Sequence, residues 1–245
     1  MVSARKPMLV MDNLHKAPPL ATHPLRYALL RLDMALKPHE VPQLRRFVNR
    51  FVGQEEDLFH NHRSEAAYHY RYPLVQYKSS EGKAALLGLA DSGVEALEKL
   101  KSHPEFRAHC AEWIGDGSLW MEEYRETLTL HAALPDTIWE LRHYIALNEQ
   151  NLRLWHEKPG LAARAALLER CLTGHLLKFA SAIRWQLPPH SLQVELSDYR
   201  TRTLKSFDNP FLGFELQFRT NLSLPEGIGL GKAVSHGFGV LRSVP

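Results

Sequence analysis

The chain has 245 residues, a formal net charge of +3 and 14 histidines, which is enough for one large domain or two small ones with local basic surface suited to an acidic polymer. Cys110 and Cys171 supply neither a disulfide framework nor a CxxC metal pair. The longest clearly apolar run, residues 84–90, is too short to cross a bilayer and the N-terminus has no signal-peptide core, so a soluble cytoplasmic protein with no membrane partner is expected.

In chain order, Ala28, Leu30, Leu32, Met34 and Leu36 alternate with Arg31 and Asp33 as a half-buried strand does. Val41, Leu44, Phe47, Val48, Phe51 and Val52 then share one helical face, with Arg45, Arg46 and Arg50 on the solvated side. Residues 72–78 and 84–90 read as extended segments joined by a polar turn containing Gly82. Ser92 is the expected start of a second helix, with Glu95 in the capping-box position and Val94, Leu97 and Leu100 toward the core. Residues 102–118 are polar and broken by Pro104, Gly115 and Gly117, which places the domain boundary there and divides the chain into 1–110 and 111–245.

Beyond that break, 119–131 and 138–147 read as extended. Leu161, Ala165, Leu168, Leu172, Leu176, Phe179 and Ile183 mark a long helix over 161–184, stopped by Pro188. Strands follow at 193–204 and 211–220, and residues 238–241 lead into a short terminal one. The order predicts an α+β chain of two tandem ferredoxin-like (βαββαβ) domains. The five tryptophans are scattered and take packing roles.

Two segments carry chemistry. The first is Phe59-His60-Asn61-His62 followed by His69-Tyr70-Arg71-Tyr72-Pro73-Leu74-Val75-Gln76-Tyr77-Lys78. If extended, His60 and His62 share a face roughly 6–7 Å apart, and one imidazole can take a ribose 2′-hydroxyl proton while another group protonates the leaving oxygen. A His-x-His pair also suits a transition metal, although His69 is the only nearby third imidazole and no carboxylate sits in a ligand position. The plainest alternative is a loop of histidines bonded to backbone. Tyr72 and Tyr77 lie on opposite strand faces by parity, so at least one belongs to the core.

The second segment is Gly227-Ile228-Gly229-Leu230-Gly231-Lys232-Ala233-Val234-Ser235-His236-Gly237-Phe238-Gly239, which holds five of the chain's 14 glycines. Gly227 and Gly231 are one residue too close for a Walker loop, Ala233 stands where Ser or Thr is needed, and the alternate-residue glycines do not make a dinucleotide fingerprint. What remains is either a flexible loop or a backbone whose N–H groups gather around a phosphate.

Together the two segments resemble the CRISPR-associated precursor-RNA processing endoribonucleases of the RAMP superfamily, in the branch with a Tyr-Pro-Leu-x-Gln-Tyr-Lys strand; a weaker likeness extends to Leu147-Asn148 and Asn151. The resemblance implies two ferredoxin-like domains and cleavage of CRISPR repeat RNA with no metal or other cofactor. In that chemistry the ribose 2′-hydroxyl attacks the adjacent phosphate and leaves a 2′,3′-cyclic phosphate. It assigns proton transfer to His62 first and His60 second, with His69, Tyr70 and Lys78 in support. RNA contact falls to Gly227, Gly229, Gly231, Lys232, Ser235, His236, Gly237 and Gly239. His236 is a departure, because the family pattern has a basic, arginine-like residue after the serine. Repeat RNA is the implied partner, with other CRISPR effector subunits and a second copy of the chain as further candidates. A non-catalytic RNA-binding subunit and a metal-dependent hydrolase centred on His60 and His62 are the competing readings.

Overall fold

The computed structural model describes residues 18–53, 57–60, 71–114, 119–206 and 209–244. The first half runs β1 (Ala21–Ala35), α1 (Val41–Val48), α2 (Asp57–His60), β2 (Val75–Ser80), β3 (Lys83–Leu89), α3 (Ala90–Ser102), α4 (Pro104–Ile114) and β4 (Leu119–Leu130). The second runs β5 (Ile138–Tyr144), α5 (Glu149–Glu157), α6 (Leu161–Ala182), β6 (Val194–Ser206), β7 (Asn209–Thr220), a 3-10 turn (Val234–His236) and β8 (Val240–Val244). Their four-stranded sheets have the orders β2-β3-β1-β4 and β6-β7-β5-β8, with antiparallel pairing throughout. This is the ferredoxin-like arrangement twice over, with one substitution: where the second half should carry its second helix, it carries the glycine-rich stretch.

Two expectations are corrected, and the expected division at 110/111 can be set against the strand pairing. Residues 102–118 contain a helix, α4, because Pro104 occupies a first-turn position where its missing N–H has no intrahelical partner to lose, while Phe106 and Cys110 are buried in the core. The division expected at 110/111 therefore falls inside α4. It would also separate β4 from the sheet in which it pairs with β1 from Ala21↔Leu130 to Leu32↔Leu119, and the two sheets instead part between Leu130 and Ile138. Finally, α3 begins at Ala90 with extended Leu89 as its cap residue and no side-chain cap. Ser92 thus lies in the first turn and forms no capping box. The strand runs straight into the helix because Gly88 and Gly93 touch: a Cβ on Gly88 would sit 2.5 Å from the Gly93 carbonyl oxygen.

Leu30, Leu32, Val41, Leu44, Phe47, Phe59, Tyr77, Leu86, Leu97 and Phe106 form the core between the first sheet and its helices. The opposite face of that sheet, with Leu25, Leu87, Leu89, Leu128 and Leu130, packs into the core of the second half beside Leu141, Leu168, Leu172, Leu176, Phe179, Phe214 and Leu230. Burial of this second cluster joins the two halves, since its members come from both sheets, and removing that apolar surface from water stabilises their contact. Among the described residues, no helix is long and apolar enough to cross a membrane.

Candidate nucleic-acid interface

Strand parity on β2 decides what the Tyr-Pro-Leu-x-Gln-Tyr-Lys segment does. Tyr77 points into the helix-side core and donates its hydroxyl to Asn49 Oδ1 at 3.0 Å. Gln76 and Lys78 point the other way, toward the glycine-rich stretch. The Gln76 carboxamide is fully buried. It accepts from the Gly229 N–H at 2.8 Å and donates to the Tyr72 hydroxyl at 2.9 Å and the Pro73 carbonyl at 3.1 Å. The Tyr72 ring packs edge-on against Phe179 of α6 at 5.5 Å, so both tyrosines are committed to packing and neither is a stacking platform.

Lys78 is 5% exposed, and its Nζ has no hydrogen-bond partner among the described residues. Burial alone pushes this amine down to about 7, so both protonation states are populated near neutral pH. A Cβ on Gly229 would lie 3.2 Å from Lys78 Nζ and 2.4 Å from Val234 Cγ1, which explains why the loop needs glycine where it crosses β2. At Gly231, φ is +94° and a Cβ would fall 2.6 Å from the Tyr144 ring and 2.8 Å from the Ile145 carbonyl oxygen.

Several amides of the stretch are directed inward. Gly227 donates to Leu241 O at 3.0 Å, Lys232 to Ile145 O at 3.0 Å, Gly237 to Val234 O at 3.0 Å and Gly239 to His143 O at 3.1 Å. Gly229 is held by Gln76. The amides of Gly227, Gly229, Lys232, Gly237 and Gly239 are thus engaged within the protein, and glycine at 229 and 231 serves close packing. Ser235 is buried as well, at 8% exposure. Of the polar side chains in the stretch, Lys232 and His236 are half-exposed.

His236 meets Arg45, whose guanidinium donates to His236 Nε2. Burial and the adjacent Arg45 charge hold His236 down to about 4, so it is a neutral acceptor at physiological pH. Arg45, expected on a solvated helix face, is half-buried and brings to the loop the positive charge missing from residue 236; Arg46 and Arg50 are exposed as expected.

Further along the loop, Lys232 lines an open groove with Asn148, Glu149, Gln150 and Arg153 at the start of α5. That helix, absent from the sequence reading, is capped by Asn148 Oδ1, which accepts from the Asn151 N–H at 2.7 Å. The Asn-x-x-Asn spacing was its available signal. Beside it, His175 Nδ1 lies 2.6 Å from the buried Tyr144 hydroxyl. Burial first, then the Lys178 and Lys232 charges, lower this imidazole to about 4.

His62, His69 and Tyr70 lie outside the described residues, as does the side chain of His60. The chain leading to them is anchored by Phe59, 1% exposed, in α2, and the chain leaving them is anchored by Tyr72. No cluster of three or more metal-ligating side chains occurs among the described residues.

The chain matches the family models for the Cas6b N-terminal domain over residues 23–112 and the Cas6b C-terminal domain over residues 135–244. Over 96 residues it is 32% identical to an uncharacterized protein of Methanocaldococcus jannaschii, covering 39% of this chain and 64% of that one; the match thus spans less than two thirds of the relative's length. The crystal structure of a CRISPR RNA processing endoribonuclease, Cas6b, superposes with a TM-score of 0.69 at 19% identity, covering 91% of this chain and all of that one. A second Cas6b crystal structure gives 0.69 at 22% identity with the same coverage. A type IV Cas6 crRNA endonuclease gives 0.51 at 14% identity. At these identities the structures establish the tandem fold.

Proposed function

Since the chain belongs to the Cas6b family, we propose that it is an endoribonuclease that cleaves CRISPR repeat RNA in precursor transcripts to release mature guide RNAs, acting in the cytoplasm and without a metal ion. The observation that carries this reading is the seam between β2 and the glycine-rich stretch. Gln76 ties the two together, Lys78 holds beside them an amine with no hydrogen-bond partner among the described residues, and Arg45 adds a fixed positive charge at His236. Such a seam attracts a phosphate and favours charge that builds up on its oxygens during reaction.

In this mechanism the ribose 2′-hydroxyl upstream of the scissile phosphate is deprotonated and attacks phosphorus. The 5′-oxygen leaves with a proton, and the products are a 2′,3′-cyclic phosphate and a 5′-hydroxyl. His62 and His60 exchange these protons, supported by His69, Tyr70 and Lys78. With a pKa of about 7, Lys78 gains its proton as the phosphate approaches and offsets the dianionic transition state. Lys232 grips the RNA backbone through its side chain, and the glycines set the path of the loop. Other CRISPR effector subunits and a second copy of the chain are further partners under this reading.

The deciding experiment is single-turnover cleavage of the cognate repeat RNA in EDTA, with and without a 2′-deoxy substitution just upstream of the cut. Cleavage that persists in chelator and disappears with the deoxy substrate, while binding is retained, is the expected result. Strict dependence on added zinc or magnesium would refute it.

A further inference from the structure

Resting on the RNA-processing reading above, we propose that the groove at the start of α5 is a guanosine subsite for the repeat RNA, in which Glu149 and Arg153 read the base and Lys232 takes an adjoining phosphate. The groove measures about 420 Å³ and is lined by Asn148, Glu149, Gln150, Arg153 and Lys232, a size within the range of sites that hold a small ligand. Two segments far apart in the chain build it. Lys232 is fixed by its own N–H on the Ile145 carbonyl at 3.0 Å, and α5 begins just beyond that residue, at Glu149. What the groove offers a ligand is side chains, because Asn148 Oδ1 already occupies the Asn151 N–H at the head of the helix. The side chains of Glu149, Gln150, Arg153 and Lys232 have no hydrogen-bond or salt-bridge partner among the described residues.

The mixture of charges selects the ligand. A carboxylate among the lining residues opposes a run of phosphates, so the walls suit a base that presents donors as well as acceptors beside a single phosphate. Guanine presents N1–H and N2–H as adjacent donors, which one carboxylate accepts together. It also presents O6 and N7 as adjacent acceptors, which one guanidinium fork satisfies. Adenine, cytosine and uracil lack that pair of adjacent donors. Glu149 and Arg153 are spaced i, i+4 on α5 and so share one face, about 5.4 Å apart along the axis, which is close to the breadth of a purine. Both are exposed and open to a base splayed out of a single strand, the form in which RNA sequence is read. Lys232 completes the set from the glycine-rich stretch as a point charge for the phosphate.

The test is a set of cognate repeat RNAs in which each guanosine in turn is replaced by inosine, which removes only the N2 amino group. At one position wild type should lose at least about tenfold in affinity, the effect of one hydrogen bond to a charged group. Glu149→Ala should bind that inosine RNA and the unmodified RNA within about twofold of each other. Comparing the two RNAs on each protein cancels any effect of inosine on pairing within the RNA itself. At the same position 7-deazaguanosine, which removes N7 alone, should couple in the same way to Arg153→Ala. If wild type binds the repeat and either coupling is missing, this inference is overturned and the RNA-processing reading stands. A wild-type protein with no affinity for repeat RNA overturns both.

Discussion

Replacing Gln76 with methionine keeps the side-chain volume and removes every polar contact that the carboxamide makes. The Gly229 N–H loses its acceptor, and the Tyr72 hydroxyl and Pro73 carbonyl each lose a donor. A buried backbone donor left unpaired costs about 1–3 kcal/mol, and each acceptor that keeps a free lone pair loses about 1 kcal/mol. The better burial of the thioether returns about 1 kcal/mol, so the net loss is about 3 kcal/mol. For a chain of this length each kcal/mol lowers Tm by about 2–4 °C, which predicts a fall of about 6–12 °C. Because Gln76 is the link between β2 and the stretch, the Gly229 amide should lose protection against hydrogen exchange about a hundredfold. The assays are thermal melting and exchange of assigned amides. Melting within about 2 °C of wild type, with Gly229 protection unchanged, would show that the seam is held by something else.

Three further outcomes are expected. Lys78 has a folded pKa of about 7 against 10.5 when solvated. The unfolded chain therefore binds more protons between those values, and wild-type stability rises with pH across the window; Lys78→Met should melt higher than wild type at pH 7 by a margin that closes toward pH 10.5, and a pH-independent margin would contradict the buried amine. His236, held at about 4 in the fold against 6.5 when solvated, contributes stability that is present above pH 6.5 and lost as pH falls through about 4. His236→Asn should thus flatten the acid limb of the stability profile by one proton, measured by denaturant unfolding from pH 6.5 to 4, and an unaltered limb counts against it. His62→Ala should slow single-turnover cleavage at least about a hundredfold with repeat-RNA binding largely kept, whereas near-wild-type cleavage would move proton transfer to His60, His69 or Tyr70.

What could be read from the sequence was whatever repeats locally. The alternation along β1, the stripe of Leu168, Leu172, Leu176 and Phe179 on α6, and the hairpin at Gly82 all announce themselves within a window of a few residues. Helix α4 was missed because Pro104 looks the same whether it breaks a helix or begins one, and the place of β4 was hidden because it pairs with a strand about a hundred residues earlier. At the site, the motif residues Gln76, Lys78 and Gly229 could be named in advance, but the bond joining them spans 153 positions. Arg45 follows the same logic. Helical periodicity places it beside solvent, and only the arrival of His236 from the far end of the chain turns that edge into an interior seam.

The apolar far face of the first sheet also bears on how the molecule could be taken apart. Leu25, Leu87, Leu89, Leu128 and Leu130 belong to the core of the other half, so a cut in the link between Leu130 and Ile138 would expose a continuous greasy surface on both products. The two repeats have the outline of a duplication, yet each leaves apolar surface that the other covers, and autonomy has been exchanged for a fixed mutual orientation. Calorimetry should accordingly record one cooperative transition for the whole chain, and separately expressed halves should aggregate alone and regain solubility only when mixed.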